Sequence, residues 1–306
     1  MAEWYLRGLS GGNPLAFLAA LGTLRSATLA WPNHSVAMGW AQRDAGWRPF
    51  LRIDSWESDQ DELIRRLQDQ LRQMDGHAVF TFAEDLTVTA DIFRSLALKA
   101  QDQGRGDRRL GDFVAAFASD VLVDEKVRNS PLVQDTALRT MSGAGHQHFL
   151  KFILQLTQQT GAHHIRQALF SEWRYQQEGL SLRWDPADDR RYALRWEEPS
   201  GDPVRTVWGA YRLAVEGLPL MPVMPVGRRL ETTGFSRQRD GTVFWTWPIW
   251  EGALNMDIVA SLLALQELQS PNPPREPLRA RGIVEVYRSE RITQGKYRNF
   301  TPAVPV

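Results

Sequence analysis

The chain has 306 residues, 43% of them apolar and 24% charged, with equal numbers of basic and acidic residues and no cysteine. That balance suits a globular protein with one large core or two modest ones. Zero cysteines exclude disulfides, thiolate metal sites and a cysteine nucleophile, and a net charge of zero excludes a globally basic nucleic-acid binder.

The N-terminus shows no basic region followed by an apolar run and a cleavage site, so a cytoplasmic location is expected. A short strand from Trp4 to Leu9 precedes Gly11-Gly12-Asn13-Pro14. Asn13 suits a helix N-cap and Pro14 the first helical position, where a missing N–H costs nothing. From Leu15 to Leu24 nearly every residue is apolar or small, which marks a helix buried on all sides. It falls short of the roughly 20 apolar residues a membrane span needs. A glycine turn feeding a helix also suits an anion, yet no Lys-Ser/Thr pair follows and the glycine spacing is wrong for a dinucleotide fingerprint. The stretch is therefore read as the central core helix.

Two strands, Ser35–Ala41 and Trp47–Ile53, flank the hairpin signal Asp44-Ala45-Gly46. Asp59–Met74 carries Leu63, Leu67 and Leu71 at helical spacing, Val79–Phe82 reads as a strand, and Thr89–Gln101 and Leu110–Leu122 as helices. A polar break containing Arg105, Arg108 and Arg109 separates the last two. A second glycine turn, Ser142–His146, leads into a helix ending near Thr157, and His163–Trp173 is helical again. Beyond Gly179 the chain turns to strands: Leu180–Trp184, Arg190–Trp196, and a hairpin of Leu230–Arg237 with Val243–Trp247 around Asp240-Gly241. Helices are expected at Val204–Leu218 and Met256–Gln269, and a last strand at Gly282–Arg288. The fold class is α+β: a helix-rich region at 1–175 around the buried helix and a mixed region at 176–306, or one continuous domain.

Candidate chemistry is sparse. His146-x-His148 and His163-His164, separated by about one helix and a turn, could converge on a metal with a carboxylate such as Glu172, but residues two apart do not share a helix face. Asp112, Asp124 and Lys126 loosely imitate the carboxylates and lysine of a metal-dependent nuclease. No metal or cofactor and no catalytic residue is assigned. Four of the 36 cations are lysines, Lys99, Lys126, Lys151 and Lys296, and the rest are arginines, suited to phosphate and carboxylate forks. From Arg275 onward seven cations face three glutamates, interleaved with Tyr287, Tyr297 and Phe300. Arg281, Arg288, Arg291, Lys296, Tyr297 and Arg298 are the candidates for single-stranded nucleic acid, by phosphate contact and base stacking. The alternative is a solvated tail. Asn13, His146, Gln147, Arg183, Trp184, Asp185, Arg190 and Arg191 form a second set, with a structural or a ligand-binding role.

Four landmarks stand together: Asn13–Gly22, Ser142–Gln147, the blocks Leu182–Pro186 and Asp189–Leu194, and Phe244–Trp250 with Tyr287-Arg288-Ser289. Together they resemble proteins of type I-G (formerly I-U) CRISPR loci, in the Cas3-extension family. The opening segment also resembles the start of the large subunits of type I interference complexes. The resemblance implies a non-catalytic part of RNA-guided antiviral defence. Its partners would be crRNA or target DNA, or the effector subunits and the helicase-nuclease, with no membrane. Base pairing reads sequence in such assemblies while protein holds backbone and shape. A metal-dependent nuclease or hydrolase and a purely protein-binding adaptor are the competing classes.

Overall fold

The computed structural model describes residues 2–55, 59–104, 106–124, 131–141, 147–188, 204–294 and 297–306. Strand β1 (Ala2–Tyr5) leads through the glycine turn into helix α1 (Pro14–Ala30). Asn13 is extended and its side-chain oxygen accepts the Ala16 N–H at 3.0 Å, with Pro14 opening the first turn. Every residue from Pro14 to Ala27 is buried. Strands β2 (Val36–Arg43) and β3 (Gly46–Ile53) pair with β1 in the order β1-β3-β2, all antiparallel. Asp44 and Ala45 lie at φ 51° and 59°, the left-handed pair that matches a two-residue turn to strand twist.

Helix α2 (Gln60–Arg72) is capped by the Asp59 carboxylate and buries Leu63, Leu67 and Leu71, as their spacing requires. The strand expected at Val79–Phe82 is instead a helical turn, α3 (Ala78–Thr81). His77 caps it, and Phe80 meets the Phe113 ring edge-on at 5.0 Å. Helices α4 (Ala90–Gln103) and α5 (Arg109–Phe117) follow. The helix expected to reach Leu122 stops at Phe117, and Ala118–Asp124 becomes β4, hairpinned with β5 (Leu132–Asp135). Val121 and Val123 are β-branched and favour that change.

Helices α6 (Phe149–Gln159) and α7 (Ala162–Phe170) precede the two-residue strands β6 (Gln177–Glu178) and β7 (Arg205–Thr206). Leu180–Trp184 is not a strand. Leu180 and Arg183 have φ of 52° and 56°, which breaks the period of two while Leu182 and Trp184 still enter the core. The expected strand at Arg190–Trp196 lies outside the described residues. Helix α8 (Trp208–Gly217) is followed by β8 (Val223–Val226), β9 (Arg229–Thr232), β10 (Phe235–Arg237), β11 (Val243–Trp250), α9 (Met256–Leu263) and α10 (Arg275–Arg279). The expected final strand extends to Ile283–Gln294 (β12), followed by β13 (Tyr297–Phe300) and β14 (Val304–Pro305). These build a five-stranded antiparallel sheet in which β12 pairs with β11, β13 and β14. The C-terminal segment is thus the middle of a sheet, not a solvated tail.

Helix α1 lies between this sheet and α8. Phe17 packs against Trp40, Trp245, Trp247 and Trp250, with ring centroids 5.5–6.5 Å away. The Trp247 and Trp250 N–H groups donate to the Gly11 and Met38 carbonyls, both at 2.8 Å. On its other side α1 touches α8 backbone to backbone, since a Cβ on Gly22 would sit 1.7 Å from the Leu213 carbonyl oxygen. Buried Arg25 bridges Glu216 at 2.7 Å and Asp112 at 3.2 Å, and Arg212 holds the same glutamate at 2.8 Å. One continuous apolar cluster runs from Leu6 to Phe300 through both halves of the chain.

Candidate functional site

A cation-lined cleft of about 850 Å³ is walled by the β4–β5 hairpin, β9, β10 and the β12–β13 pair. Arg139, Arg229, Arg237, Arg291 and Arg298 line it, against Asp124, Asp135 and Glu231. Strand periodicity places the arginines of the last strands. Arg288 and Arg291 lie on opposite faces of β12, because successive side chains alternate. Arg291 faces Phe300 across the ladder and Arg298 faces Thr293, so Arg291 and Arg298 are diagonal neighbours on one face. The side walls are laced together. The Gln134 amide accepts from the Leu230 N–H at 2.8 Å and donates to the Arg228 carbonyl, while the Thr232 hydroxyl accepts from the Ala137 N–H at 2.8 Å.

Arg139 is the fixed member of the cluster. Its guanidinium sits 2.6 Å from Asp135 and 3.1 Å from Asp85, and it also reaches the Thr87 hydroxyl. Its own carbonyl accepts from Arg291 at 3.3 Å and Arg298 at 3.2 Å, both long for a charge-assisted bond. The Arg291 Nε–H is buried with no partner. Burial, followed by the neighbouring charge of Arg298, pushes the Arg291 pKa down to about 9, with Asp135 opposing. Burial also lowers Arg298. A second groove of about 630 Å³ adjoins the cleft through Ser236, Arg237 and Gln269, and adds Arg239 and Phe244. The buried Gln269 amide has no partner at either end.

The residues proposed from sequence for nucleic acid separate into three settings. Arg291 and Arg298 enter the cleft. Arg281 lies on the surface, paired with Glu267 at 2.7 Å. Arg288 is buried on the opposite face, donating to the Thr246 hydroxyl and to the carbonyls of Leu268, Ser270 and Pro271. Its guanidinium ties β12 to the segment after α9. Tyr297 stands opposite Gln294 in the β12–β13 ladder, and Lys296 lies outside the described residues. Arg139, Arg229 and Arg237 come from segments that carry no local motif. The only trace of them in the sequence is the predominance of arginine over lysine.

The second set also comes together in part. The Asn13 amide donates to Asp185 at 3.1 Å, joining the opening turn to the Arg-Trp-Asp-Pro block 172 residues on. Arg183 donates to the Gln147 carbonyl oxygen at 2.8 Å, and buried Trp184 to the Leu138 carbonyl at 2.8 Å. Asp185 also accepts from Tyr175 and from the Ala187 N–H. Beside it, buried Asp188 accepts from Ser181 at 2.6 Å and from Tyr211. Burial and then the Asp185 charge push Asp188 up to about 7. These contacts anchor a buried turn. His146, Arg190 and Arg191 lie outside the described residues.

The weaker groupings separate. Asp112 is committed to Arg25 at the α1–α8 contact, whereas Asp124 lines the cleft and Lys126 is outside the described residues. His148 lies 3.7 Å from Glu84, while the adjacent His163 and His164 rings on the first turn of α7 lie 3.7 Å apart, tilted by 41°. Among the described residues no three His, Asp or Glu side chains are grouped to hold a metal ion, and no helix is long and apolar enough to cross a membrane. No family model, curated protein or solved structure matches this chain.

Proposed function

We propose that this protein is a non-catalytic component of a type I-G CRISPR-type antiviral defence system in the cytoplasm, and that its arginine-lined cleft holds a nucleic-acid strand. The cleft supports this reading because, among the described residues that line it, five guanidiniums face three carboxylates, although the whole chain is neutral. Guanidinium forks match phosphate oxygens two at a time. The adjoining groove extends the track past Arg237 and Arg239 to Phe244, an aromatic on which a base can stack. Protein partners of the same assembly suit exposed Val121 on β4 and Met224 and Val226 on β8.

Binding of internally labelled single-stranded RNA and DNA across a salt series tests the proposal. Four or five phosphate contacts predict a log–log slope of about −3 to −3.5, from roughly 0.7 counterions released per contact. Arg237→Gln and Arg298→Gln should each flatten that slope, and no strand should be cut. Absent or salt-insensitive binding would refute the proposal, and metal-dependent cleavage would favour the nuclease class instead.

A further inference from the structure

The interior of the cleft differs in kind from its rim. Arg229 and Arg237 are exposed at the mouth, whereas Arg139 keeps only 12% of its side-chain surface and Arg291 and Arg298 are largely covered. Two guanidiniums, those of Arg291 and Arg298, therefore meet below the rim on a single protein carbonyl, that of Arg139, whose own guanidinium is paired with Asp85 and Asp135. A carbonyl has two lone pairs, and both are taken at long range. A guanidinium offers five N–H groups, so the cluster holds more donors than this oxygen accepts, and the Arg291 Nε–H has no acceptor at all. Like charges at diagonal positions of an antiparallel pair repel. Such an arrangement is stabilised by an anion with several oxygens.

The charge balance indicates which anion. Among the described residues, the charges that bear on Arg291 and Arg298 are those of Arg139, Arg237, Asp85 and Asp135, so with the pair itself four cations stand against two carboxylates, an excess of two positive charges. An internal phosphodiester carries one negative charge and leaves the other cation unmatched. A phosphomonoester carries about −1.5 to −2 at neutral pH and offers three strong acceptor oxygens. Depth points the same way. The middle of a strand must enter and leave a buried seat, whereas an end only has to enter.

We propose that the seat formed by Arg139, Arg291 and Arg298 binds the terminal phosphomonoester of a nucleic-acid strand. It rests on the nucleic-acid reading above, which takes the rest of the strand along Arg237, Gln269 and Arg239. In the bound state the phosphate oxygens accept from Arg291 Nε–H and from the remaining N–H groups of Arg291 and Arg298. Arg139, held by Asp85 and Asp135, serves as the fixed wall.

The test compares one internally labelled single-stranded oligonucleotide in three forms: 5′-phosphate, 3′-phosphate, and hydroxyl at both ends. One phosphorylated form should bind at least about tenfold tighter than the hydroxyl form, a difference of about 1.4 kcal/mol. Arg291→Gln and Arg298→Gln should abolish that preference, so that each variant binds the phosphorylated and hydroxyl forms with equal affinity. Inorganic phosphate should displace the preferred form from the wild-type protein and leave the hydroxyl form in place, an arm that needs no variant to fold. Equal affinity for all three forms overturns the seat and leaves the cleft reading intact. Absence of binding to every form, even at low salt, overturns both. A phosphoserine peptide that competes better than the phosphorylated oligonucleotide overturns the nucleic-acid assignment of the seat.

Discussion

Asp188 accepts hydrogen bonds from Ser181 and Tyr211 on the same carboxylate oxygen, close to Asp185 and with Arg183 as its nearest countercharge. Burial is the first cause of its raised pKa and the Asp185 charge the second. The folded group titrates near 7 against 3.8 for the ordinary carboxyl, so between those values the folded state holds a proton that the unfolded chain lacks. Its contribution to stability is therefore complete below about pH 4 and is lost as pH rises through 7. The full swing is on the order of 4 kcal/mol. Asp188→Asn keeps a carbonyl oxygen for the two hydroxyls and cannot ionise. Urea unfolding at pH 5, 6.5 and 8 should show wild type weakening toward pH 8 more steeply than the variant, with the variant the more stable of the two at pH 8. Parallel profiles would show that Asp188 does not titrate in this range. The sequence placed Asp185 and its neighbours in one cluster. It did not show which carboxylate would be the deeper, because depth depends on Tyr211, which comes from a different helix.

At the scale of elements, the α1–α8 contact depends on an absence of side chain. A methyl group at Gly22 would meet the Leu213 carbonyl carbon at 2.7 Å as well as its oxygen, and one at Gly217 would lie 2.5 Å from the Leu18 oxygen. Neither obstacle is a flexible side chain, so relief requires the helices to separate. Gly22→Ala should then destabilise by more than the roughly 1–3 kcal/mol of ordinary overpacking. Gly46→Ala is the control. Nothing lies within 4 Å of its Cβ position, so the change should be neutral or stabilise by up to about 1 kcal/mol. Equal urea midpoints for the two variants would show that α1 and α8 have room to adjust. The start of α1 was legible because its cap, proline and apolar run all point the same way. Leu180–Trp184 was not legible, because the same alternation of apolar residues is produced here by a chain with two left-handed residues. Val79–Phe82 failed for a related reason: four apolar residues suit a strand or a helical turn, and packing of Phe80 on Phe113 decides.

For the whole molecule, a net charge of zero means that attraction of a polyanion to the cleft comes from the local arrangement of charge and not from the chain's net charge. The candidate site was only half legible for the same reason. The basic C-terminal run pointed to Arg291 and Arg298, but their companions Arg139, Arg229 and Arg237 are scattered over 99 residues, and only the fold concentrates them. That concentration weakens the empty protein. Arg291 stays charged at neutral pH although its folded pKa is held near 9, well below the ordinary guanidinium range. Its destabilising effect is complete below pH 9 and fades only as pH rises above that value. Arg291→Met removes the charge and keeps the apolar stem. The variant should melt higher than wild type at pH 7.5 in low salt, by up to a few degrees if about 1–2 kcal/mol is recovered in a chain of this size. An oligonucleotide carrying the preferred terminal phosphate should raise the wild-type midpoint by more than that of the variant. Such an opposition of stability and binding is expected where a site holds charges for a ligand. A variant that melts lower than wild type, with ligand stabilisation intact, would show that Arg291 supports the β12–β13 pair and does not serve the cleft.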